Sequence, residues 1–127
     1  MHRLWISLSV LIALFCAALF NTHYLDNLTG ELSSLLLEAE ACIVDGDWDA
    51  ASDKTEAALD RWKSRENYLH MVLRHADTDE ILLSFQEVRQ LIEHREDGGE
   101  YSAANAKLVT RIRLLHEMEQ LNLKNLL

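Results

Sequence analysis

The hydrophobic pattern divides the chain into one unbroken apolar stretch and a longer region of regularly spaced apolar positions. Leu4–Phe20, LWISLSVLIALFCAALF, holds no charged residue. As a helix it spans about 26 Å at 1.5 Å per residue, near the lower limit for crossing a bilayer core. From Leu25 the apolar residues recur as Leu25, Leu28, Leu32, Leu35, Ala39 and Cys42, with Leu36 and Ile43 beside them. Spacings of three and four place them on one helical face. Gly30 lowers the propensity slightly without interrupting the stripe. Asp45-Gly46 is the expected end of this helix, because Gly accepts the left-handed C′ position. Asp47 then caps the next helix by accepting a backbone N–H.

The second helix carries Trp48, Ala51, Thr55, Ala58, Leu59, Trp62, Leu69, Val72 and Leu73 on one side and is expected to reach about His75. Asp77 or Thr78 is expected to cap a third, with Ile81, Leu82, Phe85, Val88, Leu91 and Ile92 inward and Gly98-Gly99 as its stop. A fourth, from about Glu100 to near Asn125, turns Tyr101, Ala104, Leu108, Ile112, Leu115 and Met118 inward. No β-branched run alternates with polar residues, proline is absent and glycines number 4. The predicted class is all-α.

The two halves match at an offset of 53 residues. Gly46-Asp47-Trp48-Asp49-Ala50-Ala51 falls on Gly99-Glu100-Tyr101-Ser102-Ala103-Ala104. Leu28, Leu32 and Leu35 fall on Ile81, Phe85 and Val88, and Leu59 and Trp62 on Ile112 and Leu115. A helix ending at Gly, an aromatic opening the next and small Ala residues for close packing describe a tetratricopeptide-like hairpin with longer helices. The predicted architecture is an N-terminal transmembrane helix over 1–24 followed by two stacked αα-hairpins, about 25–76 and 77–127.

The flanks orient the apolar stretch. His2 and Arg3 precede it, whereas Asp26 and Glu31 are the first charges after it and the first Lys is Lys54. Positive-inside bias puts the N-terminus in the cytoplasm and the remainder outside, with Trp5 and Tyr24 as interfacial anchors. The alternative is a signal peptide cut after Ala18, giving a secreted protein. No helix breaker follows the apolar run, which favours an uncleaved anchor.

Charge narrows the partners. Without Arg3, 11 basic residues face 21 acidic ones, a net −10. No Lys/Arg cluster with interleaved aromatics offsets this, so nucleic-acid binding is excluded. The same balance opposes lying flat on an anionic lipid surface.

Little in the chain speaks of chemistry. Cys16 and Cys42 are about 39 Å apart along a continuous helix, too far for a bridge, and read as small apolar fillers. His70, Arg74, His75 and Asp77, with Glu80 nearby, form the one cluster that reads as a partner or ligand contact. His70 and His75 are five apart and so off a shared face, poorly placed as a metal pair. Asp45, Asp47, Asp49 and Asp53 imitate a calcium loop, but lack its Gly and closing Glu and read as helix-terminal charges. Trp48, Trp62, Tyr68 and Tyr101 read as packing residues. No phosphate loop or activated nucleophile is present. No enzyme activity, cofactor or metal is expected.

The apolar anchor, Trp62 in mid-helix, the turn His75-Ala76-Asp77-Thr78-Asp79 and the terminal Asn125-Leu126-Leu127 together resemble the DUF4363 family, small bacterial proteins mostly of clostridia-like Gram-positives. Ala76 stands where that family tends to carry Glu, which removes a charge from the turn. The resemblance implies a Gram-positive membrane protein and brings no catalytic residues with it. Two functions follow from the whole. One is a membrane-tethered interaction or structural module, its partner another membrane or envelope protein. The other is an extracytoplasmic sensor of a small ligand or metal ion, using the Asp45–Asp53 or His75–Asp77 turn. Homo-oligomerisation through the Leu25–Cys42 stripe is a further expectation.

Overall fold

The computed structural model describes the backbone of residues 1–72, 75–95 and 98–126, and the side chains of these apart from residues 70, 72, 75, 119, 120 and 122–126. Five helices account for nearly all of it: α1 (His2–Val44), α2 (Trp48–Ser64), α3 (Glu66–Val72), α4 (His75–His94) and α5 (Gly98–Leu126). Among the described residues there is no strand.

The apolar stretch and the first amphipathic stretch form one helix. α1 runs for 43 residues, about 64 Å, with no break where the pattern changes. Its first part is apolar all round and none of Leu4–Phe20 is buried. Its second part buries Leu25, Leu28, Leu32, Leu36 and Ala39 along one seam. Leu36 rather than Leu35 occupies the seam, and Leu35 is half-buried beside it.

The turn that ends α1 follows from three residues. Gly46 takes φ +80°; its N–H bonds Ile43 O at 2.9 Å, and Asp47 N–H reaches back to Cys42 O at 2.8 Å. This pair of bonds is a Schellman closure with Gly at C′. Asp47 then serves the next helix too, its Oδ1 accepting Ala50 N–H at 3.1 Å. One residue thus closes α1 and opens α2, which forces the chain to reverse at once.

Other boundaries differ from expectation. The second helix does not continue to His75: it breaks at Arg65, whose N–H bonds Trp62 O at 3.1 Å, and resumes as α3. α4 starts at His75, so Asp77 lies in its first turn and is not its cap. The stop for α4 is Arg95, not Gly98-Gly99. Arg95 adopts φ 55° and donates its N–H to Leu91 O at 3.2 Å, while Gly98 already opens α5.

α1 packs against α2 and α5, and α4 packs against α5 and α2. α1 and α4 therefore occupy opposite corners of a closed four-cornered bundle, with α3 extending the α2 corner. The helices form two hairpins, α1/α2 and α4/α5, but the pairing of α1 with α5 closes the array. An open tetratricopeptide-like stack would leave its first and last helices apart.

The core holds Leu25, Leu28, Leu32 and Leu36 of α1, Ala58, Leu59 and Trp62 of α2, and Ile81, Phe85, Val88 and Ile92 of α4. Tyr101, Leu108, Ile112 and Leu115 of α5 complete it. Positions 53 apart share burial: Leu28 with Ile81, Leu32 with Phe85, Leu59 with Ile112 and Trp62 with Leu115. Asn105 is fully buried on α5 and donates Nδ2–H to the Leu36 carbonyl at 3.0 Å. Exposed pairs Glu38–Lys54 at 3.1 Å and Glu31–Arg61 at 3.0 Å run along the α1/α2 seam, each worth under about 1 kcal/mol.

Candidate functional site

Three surfaces stand out beyond the packed core. The first is the exposed apolar arm of α1. Two hydroxyls along it bond back to the helix: Ser7 Oγ donates to Arg3 O at 2.9 Å and, just past the apolar stretch, Thr22 Oγ1 to Ala18 O at 3.1 Å. Such back-bonding pairs these two hydroxyl protons within the helix, as an apolar medium requires.

The second surface is the foot of the bundle, where the arm enters it. Tyr68 of α3 donates its hydroxyl to Asn21 Oδ1 and meets the Tyr24 ring edge-on at 4.5 Å. Phe20 stacks on Tyr24 at 6.5 Å, and the Arg65 guanidinium lies 5.6 Å from the Tyr24 ring centre. The break at Arg65 thus places α3 against the root of the arm. On the neighbouring side, His116 Nε2 lies 3.2 Å from Asp26 Oδ1, beside a shallow hollow lined by Thr29, Gly30, Ser33 and Arg113.

Of the cluster read from the sequence, Asp77 is half-buried and lines a small groove of about 110 Å³ between α4 and α5 with Glu80, Ile81, Arg111, Leu114 and Met118. Arg111 donates to Ser84 Oγ and, at 3.4 Å, to the Glu80 carbonyl, spanning the two helices. Arg74 lies outside the described residues, and so do the side chains of His70 and His75.

The third surface is a polar cleft of about 430 Å³ between α2 and α4, lined by Asp49, Ser52, Thr55, Glu56, Arg89 and Arg95 among others. Arg89 pairs with Glu56 and Arg95 with Asp49 across it. Thr55 is fully buried and its Oγ1 has no hydrogen-bond partner. Asp47 caps α2 and Asp49 pairs with Arg95, so two members of the acidic turn are engaged within the protein. Among the described residues no three His, Cys, Asp or Glu side chains converge as metal ligands. Cys16 and Cys42 are free.

The aromatic residues divide between core and foot. Trp62 and Tyr101 are buried, Trp48 packs edge-on against Tyr101, and Tyr68 belongs to the foot. Burial pushes the Tyr101 phenol well above its usual range, with Glu40 and then Cys42 adding to the effect; its hydroxyl has no partner. Sequence reasoning missed the contacts Asn21–Tyr68 and Asp26–His116, because each joins helices far apart along the chain and carries no local spacing signal.

Fold and surfaces together define a small all-α protein, a closed helical bundle whose first helix extends into an exposed apolar arm. The chain belongs to the DUF4363 family, a domain of unknown function, whose model matches residues 19–126. The match takes in the whole bundle and only the last two residues of the apolar stretch. No curated protein and no solved structure matches the chain.

Proposed function

We propose that the chain is a single-pass membrane protein, N-terminus in the cytoplasm and bundle on the extracytoplasmic face, acting as an interaction or structural module for another membrane or envelope protein. The observation that carries this reading is the change of environment along α1. One helix is apolar and exposed from Leu4 to Phe20 and then half of a packed seam from Leu25 onward. In water the exposed part leaves eleven large apolar side chains unburied, far more than a soluble surface carries. A bilayer removes that cost, and 17 residues lie at the short end of the lengths that cross it.

The partner surface we favour is the α4/α5 groove beside Asp77, with Glu80, Arg111 and Leu114, whose lining residue Met118 lies two residues beyond His116 of the foot. No catalytic role is assigned to any residue. The test is twofold. Alkaline carbonate extraction of membranes, followed by intact-mass measurement, is expected to leave an uncleaved chain in the pellet. Release into the supernatant, or a product starting near Leu19, contradicts the anchor. A photo-crosslinking residue in place of Leu114 is expected to give one discrete adduct with another membrane protein, lost in Arg111→Ala.

A second reading, an extracytoplasmic sensor of a small polar ligand, draws support from the α2/α4 cleft and the unpartnered Thr55 hydroxyl. It requires a rise in melting temperature on adding Ca²⁺ or a small dicarboxylate, abolished by Arg89→Ala.

A further inference from the structure

α1 acts as a ruler for the depth of everything packed on it. Asn105 meets Leu36 and His116 meets Asp26, so α5 runs antiparallel to α1 in a constant register. Five residues beyond His116, Leu121 stands level with Asn21, and Met118 stands level with Tyr24. On the other side Tyr68 meets both Asn21 and Tyr24, so Met71, three residues farther along α3, stays within about 5 Å of that level. Met71, Met118 and Leu121 are 85%, 48% and 58% exposed. Leu114, Met118 and Leu121 also form a continuous row on α5 at helical spacing. Other exposed apolar residues of the bundle, Leu37, Val44 and Leu83, sit singly, as on any surface.

Two polar side chains at this level, Asn21 and Thr22, are half-buried and paired within the protein, and the exposed His23 pairs along its own helix. Asn21 accepts from Tyr68, Thr22 bonds the Ala18 carbonyl, and His23 Nε2 lies 3.3 Å from Asn27 Nδ2. Polar groups paired within the protein beside apolar groups left outside invert the usual surface arrangement, and hydrocarbon favours that inversion. Depth points the same way. The apolar stretch spans about 26 Å against a hydrocarbon core of about 30 Å. The shortfall of about 4 Å is the rise of some three residues, which brings the acyl boundary up to Asn21–His23.

We infer that the foot of the bundle is seated in the bilayer interface, with Met71 and Leu121 entering the acyl boundary on two sides of the anchor and Met118 at headgroup level. The inference rests on the reading of Leu4–Phe20 as a membrane span. The occupant of this surface is lipid, and the contact is apolar, so it needs no anionic headgroup. Two contacts besides the anchor prevent the bundle from swinging and hold the α4/α5 groove at one height above the membrane.

The test uses the full chain carrying Cys16→Ala and Cys42→Ala, reconstituted in phosphatidylcholine vesicles, with nitroxide labels attached singly at Met71→Cys, Leu121→Cys, Leu83→Cys and Ile12→Cys. Collision with oxygen, which concentrates in lipid, is compared with collision with a water-soluble nickel complex. Labels at 71 and 121 are expected to favour oxygen several-fold over the label at 83, at low and high salt alike. If 71 and 121 match 83 while 12 remains lipid-exposed, the seat is overturned and the anchor stands. If 12 is itself water-exposed, the anchor reading fails and the seat with it. Spin–spin broadening at 121 in undiluted but not in diluted samples would assign the surface to a second copy and also overturn the seat.

Discussion

Trp48 and Tyr101, 53 residues apart, meet edge to face in the closed bundle, their ring centres 6.4 Å apart at an interplanar angle of 68°. Each stands near the start of its helix, two residues past a glycine, so the contact joins the heads of α2 and α5 at the end of the bundle farthest from the arm. The same offset relates α1 to α4 and α2 to α5. The pairings α1 with α5 and α2 with α4 are then two versions of one contact. They are not equally tight: the first is bolted by Asn105, while the second opens into the polar cleft.

Tyr101 gives the bundle a pH response at the alkaline end. Its phenol is raised above the unfolded value near 10, so the stability it contributes is fully present below about pH 10 and is lost as pH rises toward its folded value. Tyr101→Phe is expected to remove that loss, at most about 1.4 kcal/mol per pH unit. At neutral pH it is also expected to leave stability unchanged or raise it by about 1 kcal/mol, since the buried hydroxyl has no partner. Urea unfolding of both proteins from pH 8 to 11 measures the difference.

The α1 seam is expected to tolerate no charge at its centre. Leu32 is wholly buried and Leu35 half-buried. Leu32→Asp therefore unfolds the bundle, whereas Leu35→Asp lowers its melting temperature but leaves it folded. Helicity and hydrodynamic size of the two variants check the order; equal, undiminished helicity contradicts the seam.

Two backbone substitutions are expected to stabilise. A Cβ at Gly30 meets nothing within 4 Å, so Gly30→Ala gains about 0.5–1 kcal/mol of helix propensity. Arg95 carries the left-handed conformation at a cost of about 1–2 kcal/mol. Its pair with Asp49 has side chains 51% and 83% exposed and returns less than that. Arg95→Gly is thus expected to raise the melting temperature by a few degrees.

What was legible in the sequence is what local chemistry decides. Gly46 and Asp47 fix their turn by conformational freedom and a short carboxylate, and both act within five residues. The helical stripes, the aromatics in the core and the apolar stretch are equally local. The stop at Arg95 was hidden, because a non-glycine residue held left-handed is chosen by packing rather than propensity. The unbroken passage of α1 from arm to bundle left no mark either, since nothing at Asn21–Tyr24 forbids or demands a bend. At the site, Asp77 was visible as a charge near a helix start, but its neighbour Arg111 is on another helix. The foot was visible only as Tyr24, whose partners Tyr68 and Arg65 arrive through the fold.

The most direct test of a helix that changes environment partway is its sidedness. Cells producing the chain with a C-terminal tag are treated with an external protease after wall removal, and the membrane fraction is weighed by mass spectrometry. The tag and bundle are expected to be digested from outside, leaving a membrane-held fragment that begins at the N-terminus and ends shortly after Tyr24. A tag protected until the membrane is lysed, or a full-length chain recovered in the soluble fraction, contradicts a membrane-spanning α1 with its bundle outside.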